Sequence, residues 1–264
     1  MSRIEERFGE LSARGERALV VFLSAGDPDL ETSEALILAM AASGADIIEI
    51  GVPFSDPIAD GPTIQRSSER GIASGATLRR ILEMARGLRP KIEVPLLLMG
   101  YANPFYAMRE GSFAPDAASV GIDGVIVPDL PPEEGEAFFA QLQAEGIDNV
   151  LLAAPTTTRE RMQLIAERTR GFLYYVSLTG VTSARAGLTA GIEEGVALAK
   201  EFTELPVCVG FGISKPEHAR AVGEFADGVV VGSAIVDVIE AAGSRSEAVD
   251  SVAKYVSEMK SALR

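Results

Sequence analysis

Eight short apolar runs rich in β-forming residues recur along the chain: Leu19–Leu23, Ile47–Gly51, Pro95–Gly100, Gly124–Val127, Val150–Ala153, Phe172–Val176, Val207–Gly210 and Gly228–Val231. A strand buried on both faces reads as a continuous apolar run and not as alternation, which is the mark of a parallel sheet covered by helices. Between the runs stand segments with apolar residues three and four apart, as in Val249, Val252, Val256, Met259 and Leu263 near the C-terminus. Eight such units in 264 residues predict an α/β fold, a closed (β/α)8 TIM barrel in preference to an open doubly wound sheet. Ile4, Phe8 and Leu11 share one apolar face ahead of the first run, predicting an extra N-terminal helix that plugs the barrel's N-terminal end. That face is too short, and its flanks too acidic, for a membrane anchor. No low-complexity or Gly/Ser-rich linker divides the chain, so residues 1–264 are expected to form one barrel domain.

Charge and composition exclude several function classes. With 24 basic against 38 acidic residues the net charge is −14, which repels nucleic acid and anionic membranes alike. Arg3, Glu5, Glu6, Arg7 and Glu10 stand where a signal peptide needs an apolar run, and no stretch approaches the roughly 18 apolar residues of a membrane span, so a soluble, cytoplasmic protein is expected. Cys208 is the only cysteine, which leaves no intrachain disulfide and no thiolate cluster; within Leu205–Gly210 it reads as a packed core thiol. His218 is the only histidine and reads as part of a solvated helix face, so no metal site is expected.

In barrels of this kind chemistry gathers at the C-terminal ends of the strands. The second run carries Glu49 among Ile47, Ile48 and Ile50, and a loop braced by Pro53, Pro57 and Pro62 then delivers Asp56 and Asp60. A carboxylate in an apolar strand is costly to bury unless it is partnered or used, so Glu49 and Asp60 are the candidate acid/base pair. Asp27, Asn103 and Asp129 end other runs beside prolines, where turn formation or capping weighs as much as catalysis. The segments Thr179–Ser183, Gly210–Ser214 and Gly232–Ala234 close the later strands with glycines, predicting a backbone cradle for a phosphate. Arg185 beside the first of them reads as a solvated arginine.

A phosphorylated substrate in a barrel suggests an aldolase. The lysines, at 91, 200, 215, 254 and 260, avoid the strand ends where a Schiff base would form, and one histidine cannot build an imidazole-rich metal site. Carbon–carbon cleavage here would need a substrate with its own electron sink, such as an indole ring protonated at C3, with Glu49 and Asp60 moving the protons.

The run Glu49 to Gln65, with Ala25-Gly-Asp-Pro28, Tyr101-Ala-Asn-Pro104, Val127-Pro-Asp-Leu-Pro-Pro132, Ala154-Pro-Thr156, Tyr174-Tyr-Val-Ser177, Gly180-Val-Thr182 and Val209-Gly-Phe-Gly-Ile-Ser214, strongly resembles the tryptophan synthase alpha subunit family, in order and over nearly the whole chain. The resemblance implies a lyase of tryptophan biosynthesis that splits indole-3-glycerol phosphate into indole and glyceraldehyde 3-phosphate by a retro-aldol route. It implies Glu49 as the general acid/base at indole C3 and at the glycerol hydroxyl, and Asp60 as the carboxylate that holds the indole N–H. Tyr174 matches an active-site tyrosine, and Tyr101 joins the substrate-binding set. Phe22 and Met99 match an apolar wall around the indole, although either would also serve as core. Gly212, Gly232 and Ser233 match a phosphate site, and Thr182 matches a threonine of a mobile loop. Ser183 departs from the glycine usual there, and a serine held at positive φ would be strained by about 1 kcal/mol.

The resemblance also implies a beta subunit as partner in an alpha2beta2 tetramer. The pyridoxal phosphate would sit in that partner, and no cofactor is expected in this chain. Pro53, Asp56, Asn103 and Pro104 would face the partner, whose docking would order the loops of Asp60 and Thr182. The alternatives are a stand-alone lyase that releases free indole, a non-catalytic activator of a partner enzyme, and a phosphosugar isomerase on the same fold.

Overall fold

The computed structural model describes residues 1–108, 112–176, 186–210 and 212–264, with 186–190 described as backbone. Among these residues are nine strands: β1 Ala18–Ser24, β2 Ile47–Gly51, β3 Leu96–Met99, β4 Gly124–Ile126, β5 Asp148–Val150, β6 Leu152–Ala153, β7 Leu173–Val176, β8 Val207–Gly210 and β9 Gly228–Val231. All pair in parallel in the order β5-β4-β3-β2-β1-β9-β8-β7-β6. The two ends of that order, β5 and β6, are separated only by Leu151, so the sheet returns on itself as the expected (β/α)8 barrel.

The fifth barrel strand differs in detail from its expected span, Val150–Ala153. It starts earlier, at Asp148, because Asp148 and Asn149 interrupt the apolar pattern yet are buried with partners. Ser2 Oγ donates to Asp148 at 2.6 Å, and Asn149 Nδ2 donates to the Arg168 carbonyl at 2.7 Å.

Twelve α-helices accompany the sheet among the described residues: α1 Arg3–Arg14, α2 Leu30–Ala42, α3 Pro62–Ala73, α4 Leu78–Leu88, α5 Ala102–Tyr106, α6 Phe113–Ser119, α7 Glu136–Ala144, α8 Arg159–Arg168, α9 Ala186–Lys200, α10 Pro216–Gly223, α11 Ser233–Ala241 and α12 Arg245–Ser261. One helix per strand was the expectation, but β2, β3 and β9 are each followed by two. The additional α5 and α11 begin close behind the C-terminal ends of their strands, and α3 begins after the loop that carries Asp60; all three follow the strands at the mouth of the barrel.

Strand residues alternate between two cores. Ala18 and Val20 of β1 face the barrel interior, while Leu19, Val21 and Leu23 pack against the surrounding helices. The predicted plug is present: Ser2 and Glu5 form a reciprocal cap on α1, whose Ile4, Phe8 and Leu11 join Ile47, Leu97, Ile126, Val150 and Phe172 inside the barrel. Each fully buried side chain of this size contributes about 2 kcal/mol.

A repeated device closes the same end. Asp46, Asp123 and Asp227 each immediately precede a strand, β2, β4 and β9, and each carboxylate accepts the backbone N–H at or near the start of a neighbouring strand. Leu19 N donates to Asp46 at 2.8 Å, Leu96 N to Asp123 at 2.8 Å, and Val207 N to Asp227 at 2.9 Å. A cation serves each as well: Lys260 at 2.9 Å from Asp46, Arg89 at 3.1 Å from Asp123, and Lys200 at 2.9 Å from Asp227. These acids are therefore committed to holding strands together.

His218 is not on a solvated face. It is half-buried on α10, which packs on β9 and α12, and its Nδ1 is buried without a hydrogen-bond partner among the described residues. Cys208 lies fully buried in the barrel interior, where burial pushes its thiol well above its ordinary value.

Candidate active site

Glu49 has the same parity in β2 as Ile47, so its side chain enters the barrel interior above the apolar plug. It is in register with Phe22 on β1 and Leu97 on β3. The residue is 1% exposed, and neither carboxyl oxygen has a hydrogen-bond partner among the described residues. Burial alone pushes the carboxyl up to about 8. A carboxyl in that condition is neutral at pH 7 and holds a proton to give.

Asp60 lies on the loop between β2 and α3. The loop is held by its own backbone, with Ile58 N donating to the Asp56 carbonyl at 2.9 Å and Asp60 N to the Pro57 carbonyl at 3.1 Å. Ala59 N also donates to the Tyr101 hydroxyl at 2.9 Å. Pro62 then starts α3, where a missing N–H costs nothing. Burial pushes the Asp60 carboxyl up to about 6, and the Tyr101 hydroxyl partly opposes that rise. The two carboxyls thus differ in protonation near neutrality, as an acid and an electrostatic stabiliser must.

Both face one cavity of about 340 Å³. Phe22, Met99, Tyr174, Gly212, Gly232 and Ser233 also line it, so eight of the ten residues singled out in the sequence meet there. Tyr101 lines a narrow adjoining space of about 20 Å³ that shares Phe22, Asp60 and Met99. Thr182, like Ser183 and Arg185, lies outside the described residues. Tyr174 is buried, and both burial and the neighbouring Glu49 raise its hydroxyl well above its ordinary value. A depression of about 320 Å³ also exists at the opposite end of the barrel, but its Lys200 and Asp227 are engaged with each other.

α11 begins at the cavity. Ile235 N and Val236 N donate to the Gly232 carbonyl at 2.9 and 3.2 Å, which leaves the N–H groups of Ser233 and Ala234, both lining the space, without an acceptor among the described residues. Gly212 opposite has φ +78°, a conformation that a side chain would strain. Free backbone donors and a helix N-terminus make an anion site without a lysine.

Sequence reasoning missed Ile64, Val230 and Asp237, which also line the cavity, and the room that Gly51 and Gly210 give the aromatic rings. A Cβ on Gly51 would stand 2.5 Å from Phe22 Cζ, and one on Gly210 would meet the Tyr174 ring. Asp27 and Asp129 prove structural: Arg70 grips Asp27, and Asp129 accepts the Ala102 N–H at 2.9 Å at the start of α5. Asn103 lies within α5.

The model of one family, the tryptophan synthase alpha chain, matches residues 8–264, a stretch that includes every residue lining this cavity. The chain belongs to the tryptophan synthase alpha chain family. The tryptophan synthase alpha chain of Geobacter sulfurreducens is 51% identical over 263 residues, covering 100% of this chain and 99% of that one. The crystal structure of tryptophan synthase subunit alpha from Legionella pneumophila has a TM-score of 0.92 at 38% identity, covering 100% of this chain and 98% of that one. A ligand-free structure of tryptophan synthase from Mycobacterium tuberculosis has a TM-score of 0.90 at 32% identity, covering 100% and 99%. Membership in the tryptophan synthase alpha chain family makes this a lyase of tryptophan biosynthesis.

Proposed function

We propose that the chain, acting as one barrel domain over residues 1–264 in the cytoplasm, splits indole-3-glycerol phosphate into indole and glyceraldehyde 3-phosphate as the alpha subunit of tryptophan synthase. The observation that carries this reading is the unpaired, buried Glu49, with its carboxyl at about 8, sharing an apolar cavity with Asp60 at about 6.

The neutral Glu49 carboxyl gives its proton to indole C3, and the ring nitrogen takes up the positive charge. The Asp60 carboxylate binds the indole N–H and stabilises that charge. The Glu49 carboxylate then removes the proton from the glycerol hydroxyl next to the ring. The carbon–carbon bond breaks, its electron pair restores the aromatic indole, the former carbinol becomes the aldehyde, and Glu49 regains its proton. Phe22, Met99 and Tyr174 enclose the ring, while Gly212, Gly232 and Ser233 hold the phosphate through backbone donors. The step needs no cofactor from this chain.

The same reading gives the chain a beta subunit as partner, in an alpha2beta2 tetramer whose pyridoxal phosphate sits in beta. Ile58 on the Asp60 loop is 84% exposed and Tyr106 on α5 is 56% exposed, two large apolar side chains beside the site and near Asp56 and Asn103. Exposed apolar groups of this kind mark association surfaces. Among the described residues no helix is long and apolar enough to cross a membrane.

The test is indole release from indole-3-glycerol phosphate by the wild-type chain and by Glu49→Gln, each with and without a beta subunit. Activity that rises with the partner and vanishes in Glu49→Gln is expected. No wild-type activity under either condition would reject the lyase reading, and equal turnover with and without the partner would favour a stand-alone enzyme.

A further inference from the structure

Two helices start at or beside residues that line the cavity. α3 starts two residues after Asp60, and α11 starts at the Gly232–Ser233 turn. The separation of these helices therefore sets the separation of the carboxylate end from the anion end.

An ion network outside the cavity spans them. Arg70 of α3 donates Nε and Nη2 to the two oxygens of Asp27 at 2.7 and 2.8 Å, and Nη1 to Glu240 of α11 at 2.9 Å. Arg66, one turn earlier on α3, donates Nη2 and Nε to the same Glu240 at 3.0 and 3.3 Å. Asp27 is buried and follows β1, which carries Phe22. A planar guanidinium that serves two carboxylates at once fixes direction as well as distance. Backbone fit supports the same seat for α3: a Cβ on Gly71 would stand 2.6 Å from the Ala25 carbonyl, and one on Gly26 would stand 2.6 Å from Ala76 Cβ. None of Asp27, Arg66, Arg70 or Glu240 lines the cavity.

We propose that Arg70, with Arg66 and Glu240, is the positioning device that holds the two ends of the site at the length of the substrate. A ligand that touches both ends feels this device, and a ligand that touches one end does not. The inference rests on the two-ended substrate proposed above.

The test uses the full chain with its beta subunit, as wild type, Glu240→Gln, Arg70→Lys and Arg70→Met. Affinities are measured for indole, for glycerol 3-phosphate, and for indole-3-propanol phosphate, which spans both ends and carries no hydroxyl to surrender; kcat and KM are measured for indole-3-glycerol phosphate. Because linked binding depends on matched spacing, Glu240→Gln is expected to weaken the spanning ligand and to lower kcat/KM by about tenfold, with each fragment within about twofold of wild type. Arg70→Lys, which keeps a cation against Asp27, is expected to fall between wild type and Arg70→Met. Glu240→Gln leaves no buried charge unpaired, so it reports even where Arg70→Met folds poorly. Spanning ligand and fragments weakened by one common factor, or a spanning ligand unaffected in Glu240→Gln and Arg70→Lys, would overturn the inference. A wild-type chain that fails to cleave while the spanning analogue still separates from its fragments would count against the lyase reading alone.

Discussion

Asp46, just before β2, and Glu49, within it, are both buried, yet among the described residues only Asp46 has a hydrogen-bond partner. Asp46 accepts from Leu19 N at 2.8 Å and from Lys260 Nζ at 2.9 Å, whereas neither Glu49 oxygen is bonded. One carboxyl locks the closed end of the barrel, and the other stays chemically available at its mouth.

Glu49 should make the protein less stable as pH rises. Its folded carboxyl sits at about 8 against an ordinary 4.5, so between those values the unfolded chain is ionised while the folded chain keeps the proton. Folding then takes up a proton, and stability falls with rising pH by up to about 1.4 kcal/mol per pH unit in that window. Glu49→Gln removes the penalty, so its Tm minus that of wild type should grow from pH 5 to pH 8. A difference that stays flat across those melts would show that Glu49 does not hold a proton in the folded state.

The pH dependence of kcat/KM should be bell-shaped. Activity needs Asp60 ionised and Glu49 protonated, which places the acid limb near 6 and the basic limb near 8. Steady-state assays from pH 5 to pH 9 measure both limbs. A rate that keeps rising above pH 8 would contradict Glu49 as the acid.

Lys260→Met should destabilise the fold without touching the chemistry. Lys260 donates to Asp46, to the Arg17 carbonyl at 3.1 Å and to Glu16 at 3.0 Å, and both Lys260 and Asp46 are buried. Burial pushes the Asp46 carboxyl up while Lys260 pulls it back. Removing the cation leaves a buried carboxylate short of its partner, at a cost of about 3 kcal/mol. Urea unfolding should show that loss, with kcat unchanged at 25 °C.

Tyr101→Phe should loosen the Asp60 loop. The Ala59 N–H loses its acceptor, which costs about 1 kcal/mol, or about fivefold in the population of the ordered loop. Rapid-mixing and steady-state kinetics should show a comparable fall in kcat/KM with little change in Tm. An unaltered kcat/KM would mean that the loop is held without this bond.

Gly51→Ala should push the Phe22 ring into the cavity, since the new methyl would fall 2.5 Å from its Cζ. Overpacking of this kind costs about 1–3 kcal/mol. Indole affinity, measured by fluorescence or calorimetry, should weaken along with stability.

Much of the fold was readable because parallel strands covered on both faces announce themselves as apolar runs. β2, β8 and β9 occupy the spans read from the sequence. The fifth barrel strand was read short because Asp148 and Asn149 look like loop residues until Ser2 and the Arg168 carbonyl, distant in sequence, satisfy them. The half-burial of His218 was not legible because it depends on the packing of α10 against α12 and β9, which the pattern of its own helix does not show. The short α5 escaped notice because Asn103-Pro104 looks like a turn.

Glu49 and Asp60 were legible from local pattern, a carboxylate inside an apolar strand and another on a proline-braced loop. Gly51, Gly210, Asp237 and the Arg70 network were not, since each matters through a partner that only the folded chain brings near.

The order of eight apolar runs and helical segments, together with the acid in the second run, determined the barrel and the end of it where chemistry belongs, because hydrophobic burial follows local pattern. Which strand residues face the interior was decided only in three dimensions. A run apolar at every position carries no alternation, so the parity that sends Glu49, Phe22 and Tyr174 into one cavity is set by barrel closure and by the α1 plug beneath them. Whether each buried acid is neutral or paired was likewise decided there, by distances to cations that lie far away in the chain.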